Sequence, residues 1–316
     1  MVRAWWVPWT WRVGLVALAT VPLTGSAYYT NLLLVIALHA TVALGLTLLM
    51  GFAGQVSIGQ AAFYGLGAYL PAILSLRGGW TPLLSLAASA ALVAWLADRL
   101  GRLIFRLRGH YLAVATLGFG IIVSVAFTEL RDWTGGPNGL SGIPPLRLFG
   151  VAFDNDFRAY YLAWAACLGG LWLARNLVTS PVGRALRAIR GSERAAAAAG
   201  IDLALIKRRT LVLSAVYASV AGSLYAHHLT FVSPQPFSFL FSVRLIVMVV
   251  IGGLTSPGGT LFGAGLLTLL SQWLQATGEY EVMGFGLLMV LVMIFLPQGA
   301  AAGAAGLLRR VRRERA

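Results

Sequence analysis

The side chains able to do acid–base, nucleophilic or metal chemistry are few in this 316-residue chain: four histidines, one cysteine and ten acidic residues. His227 and His228 are adjacent, so on a helix they point to different faces and chelate one metal poorly; no metal site is expected. His39 falls mid-way along an apolar run with no acid beside it, and is read as a hydrogen-bonded packing residue rather than a proton acceptor. Cys167 also lies in an apolar run, which leaves no disulfide within the chain and makes it a small hydrophobe. An intramembrane enzyme would have to draw on these groups, His110 and scattered serines, and they show no paired spacing.

The acids are Asp98, Glu129, Asp132, Asp154, Asp156, Glu193, Asp202, Glu279, Glu281 and Glu314, and none sits at the centre of an apolar segment. A proton-coupled carrier needs an ionisable relay there. Asp98, four residues before Arg102, reads as half of a surface ion pair. The single lysine, Lys207, lies between Ile206 and Arg208, so the phosphate-binding pattern G-x-x-x-x-G-K-[ST] is absent. ATP is not bound and hydrolysed by this chain in that manner, and no cofactor is expected on it.

The elements that carry these groups are apolar. Hydrophobic residues make up 59% of the chain and charged residues 11%, against roughly 25% charged in an ordinary soluble domain. The sequence therefore predicts an all-α, polytopic membrane helical bundle: its long continuous apolar runs match a helix crossing hydrocarbon and lack the alternation of a membrane barrel. Ten spans are expected, at about residues 13–29, 31–50, 58–76, 82–100, 111–130, 159–175, 210–228, 242–256, 260–276 and 282–298, with a tight turn near Tyr29 and Thr30. Gly25-Ser26-Ala27 could pass for a signal-peptidase site, but an uncleaved first span satisfies the parity of the crossings.

A net charge of +14 would fit a nucleic-acid partner, but its location excludes that reading. Of the 24 basic residues, 19 fall in the first 12 residues, in 99–108, in 175–209 and in the last eight. Such clustering is the positive-inside pattern, which puts both termini in the cytoplasm together with a basic tail over 302–316. The loop 131–158, on the outer side in this scheme, contains "TGGPNGLSGIPP" and reads as an ordered, non-helical cap.

Two apolar stretches are broken by glycine. "GFAGQVSIGQAAFYGLG" (51–67) and "GGLTSPGG" (252–259) both carry glycines at the break and a G-x-G further on, a matched pattern that suggests an inverted repeat. Polar side chains at the first break, Gln55, Ser57 and Gln60 beside Gly54, could line a solute path or satisfy helix-end backbone groups; Thr255 and Ser256 stand in the same position at the second. The remaining feature is "GRALRAIRGSERAAAAAG" (183–200), helix-forming from Arg184 to Ala199, with Arg184, Arg187, Arg190 and Arg194 at intervals of three or four and Gly200 as the stop. A basic helix held along the membrane surface can dock on a soluble partner or rest on anionic lipid, and charge alone does not choose.

That stretch resembles the cytoplasmic coupling segment of ABC importer permeases, with Ala195, Ala196 and Gly200 matching its Glu-Ala-Ala-x-x-x-Gly pattern and the acid displaced by one to Glu193, leaving Arg194 in its place. From about residue 31 to 300 the chain resembles the LivM-type branched-chain amino-acid permease family through four segments in order: "GFAGQVSIGQAAFYGLGAY", "TGGPNGLSGIP", "SPVGRALRAIRGSERAAAAAGI" and "MVVIGGLTSPGGTLFGA". Gln60 stands where many members have histidine. The resemblance implies a single permease domain over 1–316 with a coupling segment at 183–206, in a bacterial inner membrane. It implies a second, LivH-like permease, two ATPase subunits (LivG- and LivF-like) that hold ATP and Mg, and a periplasmic solute-binding protein. It also implies that Arg187, Glu193, Arg194, Ala195, Ala196 and Gly200 contact the ATPase. A secondary carrier whose backbone carbonyls coordinate a cation at the glycine breaks is the alternative.

Overall fold

The computed structural model describes residues 26–105, 110–148 and 151–275, together with 22, 107, 284, 286 and 287. Most of the expected first span, the tenth span at 282–298, the loop 277–281 and the tail 302–316 lie outside the described residues. Eleven α-helices are seen among those described: α1 (Ala27–Leu46), α2 (Gln60–Gly78), α3 (Pro82–Ile104), α4 (His110–Glu129), α5 (Arg131–Thr134), α6 (Asp156–Thr179), α7 (Pro181–Gly191), α8 (Glu193–Ala198), α9 (Leu203–Leu229), α10 (Phe239–Gly252) and α11 (Pro257–Gln275). Among the described residues, five helical stretches are long and apolar enough to cross a membrane: Ala27–Phe52, Pro82–Ile104, His110–Glu129, Asp156–Thr179 and Leu203–Leu229. α2 and α11 are 19 residues each, but glycine, serine and glutamine dilute their apolar character. The 14-residue α10 is shorter than the span expected there.

Two expected boundaries are corrected. The turn near Tyr29 and Thr30 does not form, because the Thr30 amide and hydroxyl both bond back to the Ser26 carbonyl and make these residues the first turn of α1. The basic helix expected over 184–199 is two helices, α7 and α8, divided at Ser192, which is extended (φ −159°, ψ 115°). The Ser192 hydroxyl accepts the Ala195 amide at 3.3 Å, the N-cap geometry that starts a new helix.

α1 and α9 form the centre of the bundle. The apolar stretch of α1 is 78% buried and that of α9 72%, against 22% for α3 and α4, whose apolar faces point outward as lipid-facing helices do. Small residues allow the close packing. A Cβ on Gly67 of α2 would fall on the Ser219 backbone of α9, and one on Gly222 of α9 would fall on the Tyr64 carbonyl of α2. Large rings fill the space beside this crossing: Tyr69 stacks on Phe127 at 4.3 Å, and Tyr64 on Phe241 at 5.2 Å.

At one end of the bundle the described residues of the loop 131–158 are ordered, but they are not free of helix as the sequence suggested: Arg131–Thr134 form α5 and Gly136–Asn138 a 3-10 helical turn within the Gly/Pro cluster. β1 (Leu140–Ser141) pairs antiparallel with β4 (Phe231–Val232), β2 (Arg147–Leu148) pairs with β3 (Val151–Ala152), and His227 Nδ1 lies 2.7 Å from the Pro144 carbonyl. The basic helices α7 and α8 lie at the opposite end, between the end of α6 and the start of α9.

Filling the α2–α9 crossing should force the two backbones apart. Gly222→Leu is expected to destabilise the detergent-purified protein by about 2 kcal/mol or more, the upper range for overpacking, seen as a lower thermal unfolding midpoint.

Candidate functional site

The candidate site is the junction between α1 and α2. After Leu46 the helix widens into a π-helical turn, Thr47–Phe52, in which backbone bonds span five residues; such turns recur at functional positions because they leave carbonyls unsatisfied. Residues 53–59 then run without regular structure until α2 begins at Gln60. Gly54 has φ +68°, a left-handed conformation that costs an L side chain roughly 1–2 kcal/mol, so glycine is required for the reversal.

Backbone groups freed by this break are met by side chains from other helices. The Ile58 amide donates to Thr116 Oγ1 of α4 and the Ala61 amide to Ser242 Oγ of α10, each at 3.0 Å. Together they serve the N-terminal end of α2, whose own N-cap, Gly59, offers no side chain. The Gly51 carbonyl accepts a hydrogen bond from Arg190 Nη1 of α7, and the aliphatic stem of Arg190 covers Gly54. Gln60 is fully buried and donates through Nε2 to the Ser214 carbonyl and hydroxyl, both at 3.0 Å.

The second glycine break meets the first. α10 ends at Gly252, Gly253 turns with φ +94°, and Pro257 opens α11. A Cβ on Gly51 would overlap the Leu254 carbonyl, and Thr47 and Thr260 share a hydrogen bond of 2.7 Å, so the breaks touch through bare backbone. They differ in form: the first is a π-turn and an irregular segment, the second a short turn.

Helix α7 buries Gly183, Leu186 and Ile189 against the bundle and exposes Arg184 and Arg187; α8 buries Ala196 and exposes Arg194 and Ala195. Arg187 also donates to the Val178 carbonyl at 2.9 Å near the C-terminus of α6, where a cation is favoured. Gly200, with φ +80°, ends α8 in a Schellman motif: its amide bonds the Ala197 carbonyl and the Ile201 amide the Ala196 carbonyl. The carboxylate of Glu193 points into the chain. It lies 2.5 Å from Lys207 Nζ of α9, and Gln55 Nε2 donates to it at 3.4 Å.

The structure therefore brings Gly54, Gln55 and Glu193 together with Arg190, and places Ser57 and Gln60 just above them, with the Ser57 hydroxyl and the Gln60 Oε1 buried and unpartnered among the described residues. Ser256 does helix-end duty, accepting the Gly259 amide at 3.1 Å, and Thr255 is exposed at the turn. Lys207, Thr116 and Ser242 had no sequence signal as site residues, apart from Lys207 being the single lysine in an arginine-rich chain. His39 packs on Phe241 with its Nδ1 3.2 Å from Thr268 Oγ1, as the packing reading expected, and Asp98 pairs with Arg102 at 2.8 Å and additionally with Arg208 at 3.0 Å.

A multi-pass helical protein with two touching helix breaks, polar amides and hydroxyls at the break, and an amphipathic helix pair beneath it has the design of a membrane permease. The comparisons give the family. The profile described as branched-chain amino acid transport system / permease component matches residues 28–308, and the chain belongs to that family. It is 34% identical over 290 residues to the high-affinity branched-chain amino acid transport system permease protein LivM of Salmonella typhimurium, and equally to that of Escherichia coli K12; each match covers 83% of this chain and 67% of the relative. The permease protein BraD of Pseudomonas aeruginosa is 27% identical over 285 residues, which is 83% of this chain and 90% of that one. No solved structure matches the chain.

Gly54→Ala is expected to lower thermal stability by about 1–2 kcal/mol because an L side chain is strained in its left-handed turn and would press on the Arg190 stem. Gly118→Ala, on α4 with nothing near its missing Cβ, should be neutral or stabilising by up to about 1 kcal/mol in the same unfolding measurement.

Proposed function

We propose that this chain is one permease of a heterodimeric, ATP-driven importer of the ABC class, moving leucine, isoleucine, valine or related amino acids by alternating access. The observation that carries this reading is the α7–α8 pair. Its apolar side is seated on the bundle, its outer side presents Arg184, Arg194 and Ala195, and its inner side grips the α1–α2 junction. A helix built only to rest on lipid needs no such grip.

In this reading the basic end faces the cytoplasm of a bacterial cell, with both termini on that side. Partners are a related second permease, two ATPase subunits that carry ATP and Mg, and a periplasmic binding protein that delivers the solute. Closure of the ATPase dimer moves α7 and α8 through their exposed surfaces, contacting Arg187, Arg194 and Ala195 near Gly200, while Ala196, expected among the contacts, is buried on the bundle side. The junction follows, and the path beside Ser57 and Gln60 changes the side it faces. The buried, unpartnered oxygens of those two residues support a solute path, since an unmet buried acceptor costs about 1–3 kcal/mol unless water or cargo satisfies it. No bond in the cargo is made or broken by this chain.

The test is reconstitution in liposomes with the sister permease, ATPases and binding protein. Uptake should require ATP, and Arg184→Glu combined with Arg194→Glu should weaken retention of the ATPase subunits about tenfold or more, a loss of about 1.4 kcal/mol. Equal uptake by the two permeases without ATPases would point instead to a secondary carrier.

A further inference from the structure

The basic helix pair holds the α1–α2 junction at two places, one on each side of the Ser192 break. α7 holds it through Arg190 on the Gly51 carbonyl, and α8 through Glu193 on the Gln55 amide. The two holding residues are three positions apart, and the stretch they hold is five residues long. We propose that Glu193 is the joint that converts movement of α8 into movement of the junction, with Lys207 as its fixed seat and Gln55 as the contact that makes and breaks. This inference rests on the importer reading and assigns Glu193 a positioning role within the permease.

The contacts that Glu193 makes with Lys207 and with Gln55 differ in strength. Lys207 is 6% exposed in its side chain, and its ammonium lies 2.5 Å from Glu193 Oε1. Removing Glu193 would leave the buried Lys207 ammonium uncompensated, so the partly exposed carboxylate ties α8 to α9 at this point. Gln55 contributes a neutral donor at 3.4 Å, the long end of hydrogen-bonding distance, and the same Nε2 also donates to its own loop at the Ala53 carbonyl, 3.0 Å away. An amide with a second acceptor already in reach can leave the carboxylate without losing all its bonding. Beside it a cavity of about 260 Å³, lined by Gly54, Gln55, Val56, His110 and Glu193 among others, provides room for that exchange. The junction in turn rests against Leu254 through Gly51, which carries the movement to the second helix break.

The experiment uses the complete complex in liposomes and reads solute imported per ATP hydrolysed, together with ATPase retention and thermal stability. Gln55→Leu and Glu193→Gln should keep the ATPases bound and hydrolysing while import per ATP falls about tenfold, the range of a typical inter-site coupling. Gln55→Leu leaves the ion pair intact, so it reports on the joint even if Glu193→Gln fails to fold. Unchanged import per ATP in Gln55→Leu would overturn the proposal, as would shedding of the ATPases by a folded Glu193→Gln complex, which would make Glu193 a docking contact. Failure of the importer reading looks different: the unaltered complex would import without ATP.

Discussion

Hydrocarbon offers no partner to a free backbone amide or carbonyl, and the α1–α2 junction has to meet that constraint while breaking a helix. An unpaired group of this kind costs several kcal/mol in an apolar medium, comparable to a large share of a domain's stability. The chain meets the constraint with side chains from three other helices: Thr116 of α4, Ser242 of α10 and Arg190 of α7. The break is thereby the point where distant parts of the chain are tied together. A helix that ran straight through would have needed none of these ties and would have moved independently of α7.

Close backbone packing makes the tie mechanically useful. Gly67 and Gly222 let α2 lie against α9, and Gly252, Gly259 and Gly263 let α10 lie against α11, so that neither pair has side chains to act as a cushion. Packed surfaces of this sort shift as units rather than deforming gradually. With Gly51 against Leu254, the two breaks are in direct backbone contact. Contacts therefore run from the basic helices to both helix breaks of this member of the branched-chain permease family.

Much of this was legible in the residues. Prolines at 82, 181 and 257 start helices, Gly200 stops one, and the cluster 134–145 is ordered, because each acts through local backbone geometry, though a 3-10 turn at Gly136–Asn138 makes that cluster less free of helix than the sequence suggested. The family resemblance rested on four ordered segments and agrees with the profile match. Other readings failed where local pattern was silent. Helix propensity favoured one helix across 184–199, but Ser192 caps a second helix, and burial of Ile189 and Ala196 on the two pieces favours the division. Ser256 and the polar residues of the first break look alike in sequence, yet one caps α11 while Ser57 and Gln60 are buried at the junction.

By itself the sequence determined an all-α membrane permease, its family, the basic helical segment and the two glycine breaks. All of these follow from composition, local dihedral preference and ordered motifs, which a linear chain carries. Only the tertiary structure decided that the two breaks touch, that Arg190 seals the first, and that Glu193 turns inward to Lys207 and Gln55. Those contacts join residues as far apart as 139 and 138 positions. They depend on how helices cross, and no spacing along the chain encodes a meeting of that kind.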